Sequence, residues 1–252
     1  MADGTLRLYS DLAWLWPLWE EPSDYAPWCD AAARLIKQYS LIEARSVLNM
    51  ACGGGKSAFN LKRHFQVTGI DVSPQMLDNA RKLNPECTFL QADVRTCSLG
   101  RQFDCVFVDD AVEGMTQPAL AAVFQTAFKH LRNGGVMVVS PGTAVPREEF
   151  EQNATRISHA RSSLKPDNIE VVFIENNYDP DPTDDTYEFT LVYLIREDGK
   201  LRVEVDHPQA ETFVSLDVWR ATIRDAGFEI HDGSVTEDDK PCLLLACVRP
   251  LQ

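Results

Sequence analysis

Basic residues are scarce in this chain. Its 252 residues include 24 Lys and Arg against 38 Asp and Glu, a formal net charge of −14. No local Lys/Arg cluster offsets the deficit. A binder of phosphate backbones needs a basic face, so neither nucleic acid nor an anionic membrane is an expected partner. Long apolar runs are missing too. No stretch reaches the roughly 18 consecutive apolar residues of a membrane span, so no transmembrane helix is expected. Met1-Ala2-Asp3-Gly4 lacks the basic and apolar regions of a secretory signal, and a cytoplasmic location is expected.

Metal-binding and disulfide patterns are also absent. The 7 cysteines (Cys29, Cys52, Cys87, Cys97, Cys105, Cys242 and Cys247) form no C-x-x-C pair, and their number is odd. Several sit in apolar runs, where Cys behaves as a small hydrophobe. A reducing compartment follows, without a disulfide framework or structural zinc. The 5 histidines show neither an i, i+4 pair nor H-E-x-x-H, so no metal site is expected. Repeats and low-complexity segments are lacking. The acidity has two readings: solubility, the plainer one, and attraction for a cationic or amine substrate.

What is present is a core-forming chain, 44% hydrophobic, long enough for one large domain or a domain with an insertion. Its most informative stretch is Ser46 to Lys62. The apolar run Val47 to Met50 breaks into Ala51-Cys52-Gly53-Gly54-Gly55, and a helical pattern follows. A second apolar run, Val67 to Ile70, ends in Asp71. A glycine turn lets a ligand approach the backbone, and an acid ending the next strand can accept hydrogen bonds from a ribose. A nucleoside-cofactor site is expected here.

Strands and helices alternate from Ser46 to about Pro141. Strands are expected at 46–50, 67–71, 88–91, 103–108 and 136–140. Helices are expected near 57–64, 73–83 and 117–131, with Ser73 as N-cap and Pro74 at the first helical position. This rhythm indicates a parallel sheet covered on both faces. Arg147 to Ser162 then reads as a polar helix. Three alternating strands follow at 170–175, 187–196 and 200–206, the last two joined by an Asp198-Gly199 turn. They suggest an antiparallel insertion, with an acidic loop from Asn176 to Thr186. The tail gives a helix near 218–226, a strand at 228–232 and a strand at 242–248. The short turn between those strands forces the last one antiparallel. Before the core, Asp11 to Trp28 concentrates Trp14, Trp16, Trp19, Trp28 and Tyr25. This aromatic segment either packs as core or closes over a pocket. Asp30 to Tyr39 reads as a helix.

Three nucleotide readings of the glycine turn compete. Gly55-Lys56-Ser57 fits the end of a P-loop, but Met50 stands where its first glycine belongs. Gly53, Gly55 and Ala58, with Asp71 further on, fit a dinucleotide turn. That reading needs a second mononucleotide-binding half, and the chain offers an insertion and a closing hairpin instead. The third reading covers more of the chain. Asn49-Met50-Ala51-Cys52-Gly53-Gly54-Gly55, Asp71, Ala92-Asp93-Val94, Phe103 to Phe107 and His130 to Val136 occur in order. In these motifs the chain resembles class I S-adenosylmethionine-dependent methyltransferases, over about residues 45–141 and 214–249.

The resemblance implies an α/β fold, a Rossmann-like seven-stranded methyltransferase sheet with an antiparallel β insertion. The expected organisation is an aromatic N-terminal cap over 1–44, a cofactor-binding core over 45–142 and 214–252, and an insertion over 143–213 that acts as substrate lid or dimer surface. S-adenosylmethionine is the implied cofactor, Asp71 the ribose acid and Asp93 the adenine contact. Two positions depart from the family's acid-x-Gly-x-Gly-x-Gly form: Asn49 replaces the acid and Ala51 the first glycine. Asn49 offers an amide oxygen without the charge, and Ala51 adds a methyl. The arrangement is also similar to that of sugar N,N-dimethyltransferases, which implies a small-molecule acceptor and a homodimer.

The expected cofactor-binding residues are Tyr9, Trp19, Tyr25, Asn49, Ala51, Cys52, Gly53, Gly55, Asp71, Val72, Met76, Asp93, Val94 and Asp109. Asp109, Asp110 and Glu113 follow the fourth strand, toward the transferred methyl. Asp110 and Glu113 are the catalytic candidates, as acids that steer an amine or accept a proton; a solvated loop is the plainer reading. Core packing is the plainer reading for Met76, Tyr9, Trp19 and Tyr25, and it is preferred for Cys52. The expected reaction is methyl transfer to a small-molecule N or O nucleophile, such as an amine or sugar. The alternatives are a non-catalytic S-adenosylmethionine-binding protein and a nicotinamide-dependent oxidoreductase.

Overall fold

The computed structural model describes residues 6–142, 147, 150–161, 169–206, 208–237 and 240–251. The chain divides into two compact units. One comprises Pro22–Ala144 and Val214–Gln252; the other comprises Met1–Glu21 and Val145–Phe213. The segment expected as a single N-terminal cap, residues 1–44, therefore splits. Its first half clusters with the insertion, and its second half enters the core unit.

The core unit begins with helix α1 (Ala26–Tyr39), which has a Pro in its first turn. Strand β1 (Ser46–Met50), helix α2 (Lys56–Leu61), β2 (Gln66–Asp71), α3 (Pro74–Leu83), β3 (Thr88–Gln91), β4 (Phe103–Val108), α4 (Gln117–His130) and β5 (Leu131–Val139) follow. Ser73 caps α3, its hydroxyl accepting from the Met76 N–H at 3.0 Å. After the insertion, α5 (Leu216–Asp225) returns the chain to the core unit.

The insertion supplies β6 (Ala154–Arg161), β7 (Ile169–Tyr178), β8 (Thr186–Glu197), β9 (Lys200–Val205) and β10 (Gln209–Thr212). The chain ends in β11 (Glu229–Glu237) and β12 (Lys240–Val248).

The core sheet has seven strands in the order β11-β12-β5-β4-β1-β2-β3. β1 to β5 are parallel, and β12 runs antiparallel to both β5 and β11, as the short turn requires. Alternate residues of each strand feed opposite faces. Val47, Cys105, Val136 and Ala246 pack with α1, α2 and α3; Leu48, Val106, Met137 and Leu245 pack with α4 and α5. At the amino ends of β1 and β4, Asp104 accepts from the Arg45 and Ser46 N–H groups, the Ser46 hydroxyl and Arg132. This clamp holds the two strands in register at the end away from the glycine turn.

The second unit is a five-stranded antiparallel sheet. β10-β8-β7-β6 are adjacent in that order, and β9 pairs the other half of the β8 edge. The polar helix expected over 147–162 is corrected here: Ala154–Arg161 is a strand paired along its length with β7. A polar edge strand carries no buried stripe to reveal its period, so its pairing comes from β7 rather than from its own pattern. Leu8, Leu12 and Leu15 bury against Val171, Phe173, Leu191, Tyr193 and Ile195. Among the described residues, no helix is long and apolar enough to cross a membrane.

Candidate functional site

Strand order reverses between β4 and β1, the point where open parallel sheets open a crevice at their carboxyl ends. The glycine turn leaves β1 there and is tied to the end of β2. The Cys52 N–H donates to the Ile70 carbonyl at 3.0 Å, and the Gly53 N–H donates to the Asp71 carboxylate at 2.9 Å. Three alternate residues of the turn have positive φ: Ala51 at 56°, Gly53 at 48° and Gly55 at 82°. The expectation that Ala51 only adds a methyl is therefore corrected. Its Cβ stands in the left-handed region, where a non-glycine residue is held at about 1–2 kcal/mol. Gly55 is required for space as well. A Cβ there would lie 2.8 Å from the Asn84 amide nitrogen and 2.9 Å from Ala80.

Asp71 ends β2 with both carboxylate oxygens engaged by backbone, one by Gly53 and the other by the Ser73 N–H at 2.9 Å. Burial pushes its pKa up, against those hydrogen bonds. Each carboxylate oxygen has a second lone pair, so further donors can be accepted. Val72, beside it, is 55% exposed, an apolar surface next to the acid. Met76 is fully buried, one turn into α3.

Asp109 lies just past β4, and its N–H donates to the Met50 carbonyl at 3.1 Å. Its carboxylate accepts from the Asn49 amide at 2.5 Å on one oxygen and from the Ser57 hydroxyl at 2.5 Å on the other. Asp109 is half-buried, with both carboxylate oxygens engaged by protein donors. Burial first, then the charge of Asp110, pushes its pKa up to about 8. Asn49 is completely buried. Its amide oxygen has no hydrogen-bond partner among the described residues. The turn, the β2 acid and the β4 acid thus come together from segments far apart in sequence.

Other expected residues are placed less centrally. Asp93 holds the Arg95 guanidinium through both oxygens, at 2.9 and 2.6 Å, and that hydrogen bonding keeps its pKa low. Val94 is buried in the core. Cys52 is buried, and burial pushes its thiol well above the ordinary range, so packing is its role. Tyr25 is partly buried, its ring 5.6 Å from the Lys56 amine. Asp110 is exposed. Glu113 lies against Gly142, where a Cβ would meet its carboxylate at 1.8 Å. Glu113 therefore sits beside the segment leaving β5. Tyr9 and Trp19 belong to the other unit and join its aromatic packing. Tyr9 meets Trp16 edge-on, and Trp19 stacks on Phe173 at 4.8 Å.

Two residues escaped the reading of the sequence. Ser57 entered as a P-loop residue and a helix start, and its bond to Asp109 is not local. Asn84 carried no signal; its side chain donates to the Gly55 carbonyl at 2.9 Å and braces the turn from the end of α3. Among the described residues, no group of His, Cys, Asp and Glu is arranged to hold a metal.

Residues 47–135 match the family described as a methyltransferase domain. A curated relative, dTDP-3-amino-3,4,6-trideoxy-alpha-D-glucopyranose N,N-dimethyltransferase from Streptomyces venezuelae, is 36% identical over 121 residues, 47% of this chain and 51% of the relative. Trans-aconitate 2-methyltransferase from an Azoarcus species is 28% identical over 160 residues, 58% of this chain and 62% of the relative. The chain thus spans about half to three-fifths of the length of these two relatives. Among solved structures, a sugar N-methyltransferase from a Streptoalloteichus species superposes with a TM-score of 0.77 at 22% identity, covering 99% of this chain and 96% of the other. An amino pentose methyltransferase from Micromonospora echinaspora, solved with S-adenosylmethionine bound, gives 0.73 at 21% identity, covering 89% and 91%. At these identities the likeness establishes a shared fold.

Proposed function

We propose, from the methyltransferase-domain match over residues 47–135, that this chain transfers a methyl group from S-adenosylmethionine to a small-molecule nucleophile, an amine nitrogen rather than a hydroxyl oxygen. The observation that carries this reading is the glycine turn bonded to Asp71 at the reversal of the sheet. The residues fit the cofactor. Asn49 presents a buried acceptor without a partner among the described residues, Asp71 has lone pairs to spare, and Val72 exposes an apolar face beside it.

When bound, the cofactor supplies a methyl on a positively charged sulfur. The protein's task is to hold the acceptor in line with that carbon and to limit water around it. Asp71 takes the ribose hydroxyls. Val72 flanks the adenine, with Met76 packed beneath it, and Asp93 borders it beside the buried Val94; for Asp93 this means sharing its carboxylate with Arg95. Gly53 and Gly55 let the ligand come close to the backbone, with Ala51, Cys52 and Tyr25 shaping the turn around them. Asp110 and Glu113, following β4, attract a cationic amine, and Glu113 accepts its proton. The acidic chain and the aminosugar relative support the choice of an amine.

Radiolabelled methyl transfer tests the proposal, with aminosugars, simple amines, phenols and carboxylates as acceptors. Label on an amine, reduced about tenfold or more by Glu113→Gln as expected for a lost general base, agrees with it. Failure of the protein to bind S-adenosylmethionine in calorimetry overturns it. Binding without transfer to any acceptor favours a non-catalytic binding protein.

We also propose a homodimer, formed through the second sheet. Ile157, Leu201, Val203 and Val205 are 56%, 54%, 54% and 47% exposed. Strand register puts Ile157, Ile174, Val192 and Val205 in one row across β6, β7, β8 and β9. An apolar row of this kind is a surface that a second copy can cover. Light scattering should give twice the monomer mass, and Val203→Glu should return it to one. A monomeric parent protein rules the dimer out.

A further inference from the structure

We propose that the carboxylate serving the ammonium group of the cofactor's amino-acid arm has moved, in this chain, from the end of β1 to the end of β4: Asp109, held by Asn49 and Ser57, is that acid. The inference rests on the methyl-donor reading above and concerns which residue supplies the charge.

An amino-acid arm brings a positive ammonium next to the glycine turn, and a cation in a partly enclosed site calls for an anion. Asn49, at the expected position, has no charge to give, and its amide nitrogen is already committed to Asp109. Asp71 fixes the turn and the start of α3 and is the acid assigned to the ribose. Asp110 is exposed to solvent. Asp109 differs from these. It sits on the other side of the β1–β4 boundary, with Met50 paired to Val108 just before it. Its two oxygens are oriented by two side-chain donors from β1 and α2. A carboxyl fixed by two neutral donors is held in position, retains acceptor capacity, and can ionise when a cation arrives beside it.

The unpartnered Asn49 oxygen completes the arrangement. It is a neutral acceptor bonded to the same amide that grips Asp109. An ammonium has three donors, so it can use the Asp109 carboxylate and the Asn49 oxygen together. Asn49 is then more than a weakened acid. Its nitrogen positions the displaced carboxylate, and its oxygen adds a second acceptor. The charge that weighs most on Asp109 after burial is that of Asp110 in its own turn, followed by Asp71 at the end of β2, and Asp109 in turn raises the thiols of Cys29 on α1 and Cys52 in the glycine turn.

The test is calorimetric binding of S-adenosylmethionine and of 5′-methylthioadenosine, which keeps the nucleoside and lacks the amino-acid arm. Asp109→Asn should weaken S-adenosylmethionine about tenfold or more, the scale of a lost charge-assisted hydrogen bond, and leave 5′-methylthioadenosine within about twofold. The exchange variant Asn49→Asp with Asp109→Asn returns a carboxylate to β1 and should recover S-adenosylmethionine affinity to within about threefold of the parent. Unchanged S-adenosylmethionine affinity in Asp109→Asn overturns the inference, and so does an equal loss for both ligands.

The parent protein alone gives an independent readout. In buffers of different ionisation enthalpy near pH 7, S-adenosylmethionine binding should release a proton as Asp109 ionises, and 5′-methylthioadenosine binding should not. Equal proton release by both ligands also overturns the inference. If the parent binds no S-adenosylmethionine, it is the methyl-donor reading that fails.

Discussion

The Asn49 side-chain amide donates to the Asp109 carboxylate at 2.5 Å, joining residues 60 positions apart across the boundary between β1 and β4. Enclosure of Asp109 has a consequence for stability. Its pKa is raised to about 8, against an unfolded value of about 3.9. A carboxyl with a raised folded pKa contributes stability that is complete below the unfolded value and lost as pH rises through the folded one. The ligand-free protein should therefore lose thermal stability between about pH 4 and pH 8 through this group. Asp109→Asn should flatten that part of the profile and melt above the parent at pH 8. Parallel profiles for the two proteins would show that Asp109 is not enclosed in this way.

Ala51 holds φ at 56° in a position that glycine fills without strain. Ala51→Gly should stabilise the protein by about 1 kcal/mol, because relief of the left-handed conformation exceeds the entropy that glycine adds to the unfolded chain. Chemical denaturation with an unchanged slope is the measurement. A lower midpoint for the variant would contradict it.

Gly55 has the opposite sensitivity. At φ 82°, with Asn84 and Ala80 within 2.9 Å of any Cβ, Gly55→Ala must displace α3 from the turn. A destabilisation of about 2 kcal/mol or more is expected, from strain and overpacking together. Asn84→Ala removes the brace at the Gly55 carbonyl and should cost about 1–2 kcal/mol. If both variants melt with the parent, the turn is not held from α3.

Asp71→Ala removes an acid that anchors Gly53 and, in the proposed function, receives the ribose. A loss of at least about tenfold in S-adenosylmethionine affinity is expected, from charge-assisted hydrogen bonds worth about 1.5–3 kcal/mol. Asp71→Asn, which keeps the shape, should fall between parent and alanine variant. Titration calorimetry decides it, and equal affinities would remove Asp71 from the ribose site.

Trp19 stacks on Phe173 at 4.8 Å and 18°, pinning the N-terminal segment to the second sheet. Trp19→Ala should destabilise that unit by about 3 kcal/mol or more, the cost of truncating a large packed aromatic. Hydrogen exchange should show the loss in β7 and β8 before the core sheet. Uniform protection across both sheets would argue against Trp19 as the anchor.

The succession of strands and helices along the chain was largely legible from residues alone, because most elements carry a local signature. Phe103–Val108 is a continuous apolar run, Ser73-Pro74 announces a helix start, and Asp198-Gly199 marks a hairpin. The antiparallel β12 followed from a turn too short for a crossover. β6 and β10 were not legible, since a polar edge strand and a four-residue strand take their structure from the neighbour they pair with.

At the site, sequence alone determined the turn, its glycines and the acid ending β2. These are adjacent in the chain, and backbone sterics act over a few residues. The sequence also showed that an amide stands where an acid was expected. Only the tertiary structure brought Asn49, Asp109 and Ser57 together. The Asn49–Asp109–Ser57 cluster requires β4 to lie beside β1 and α2 to fold back over both, and no pattern within one segment encodes a contact across 60 residues. The same holds for the left-handed backbone of Ala51. Its identity is written in the chain, but its conformation is imposed by the bonds that fasten the turn to β2.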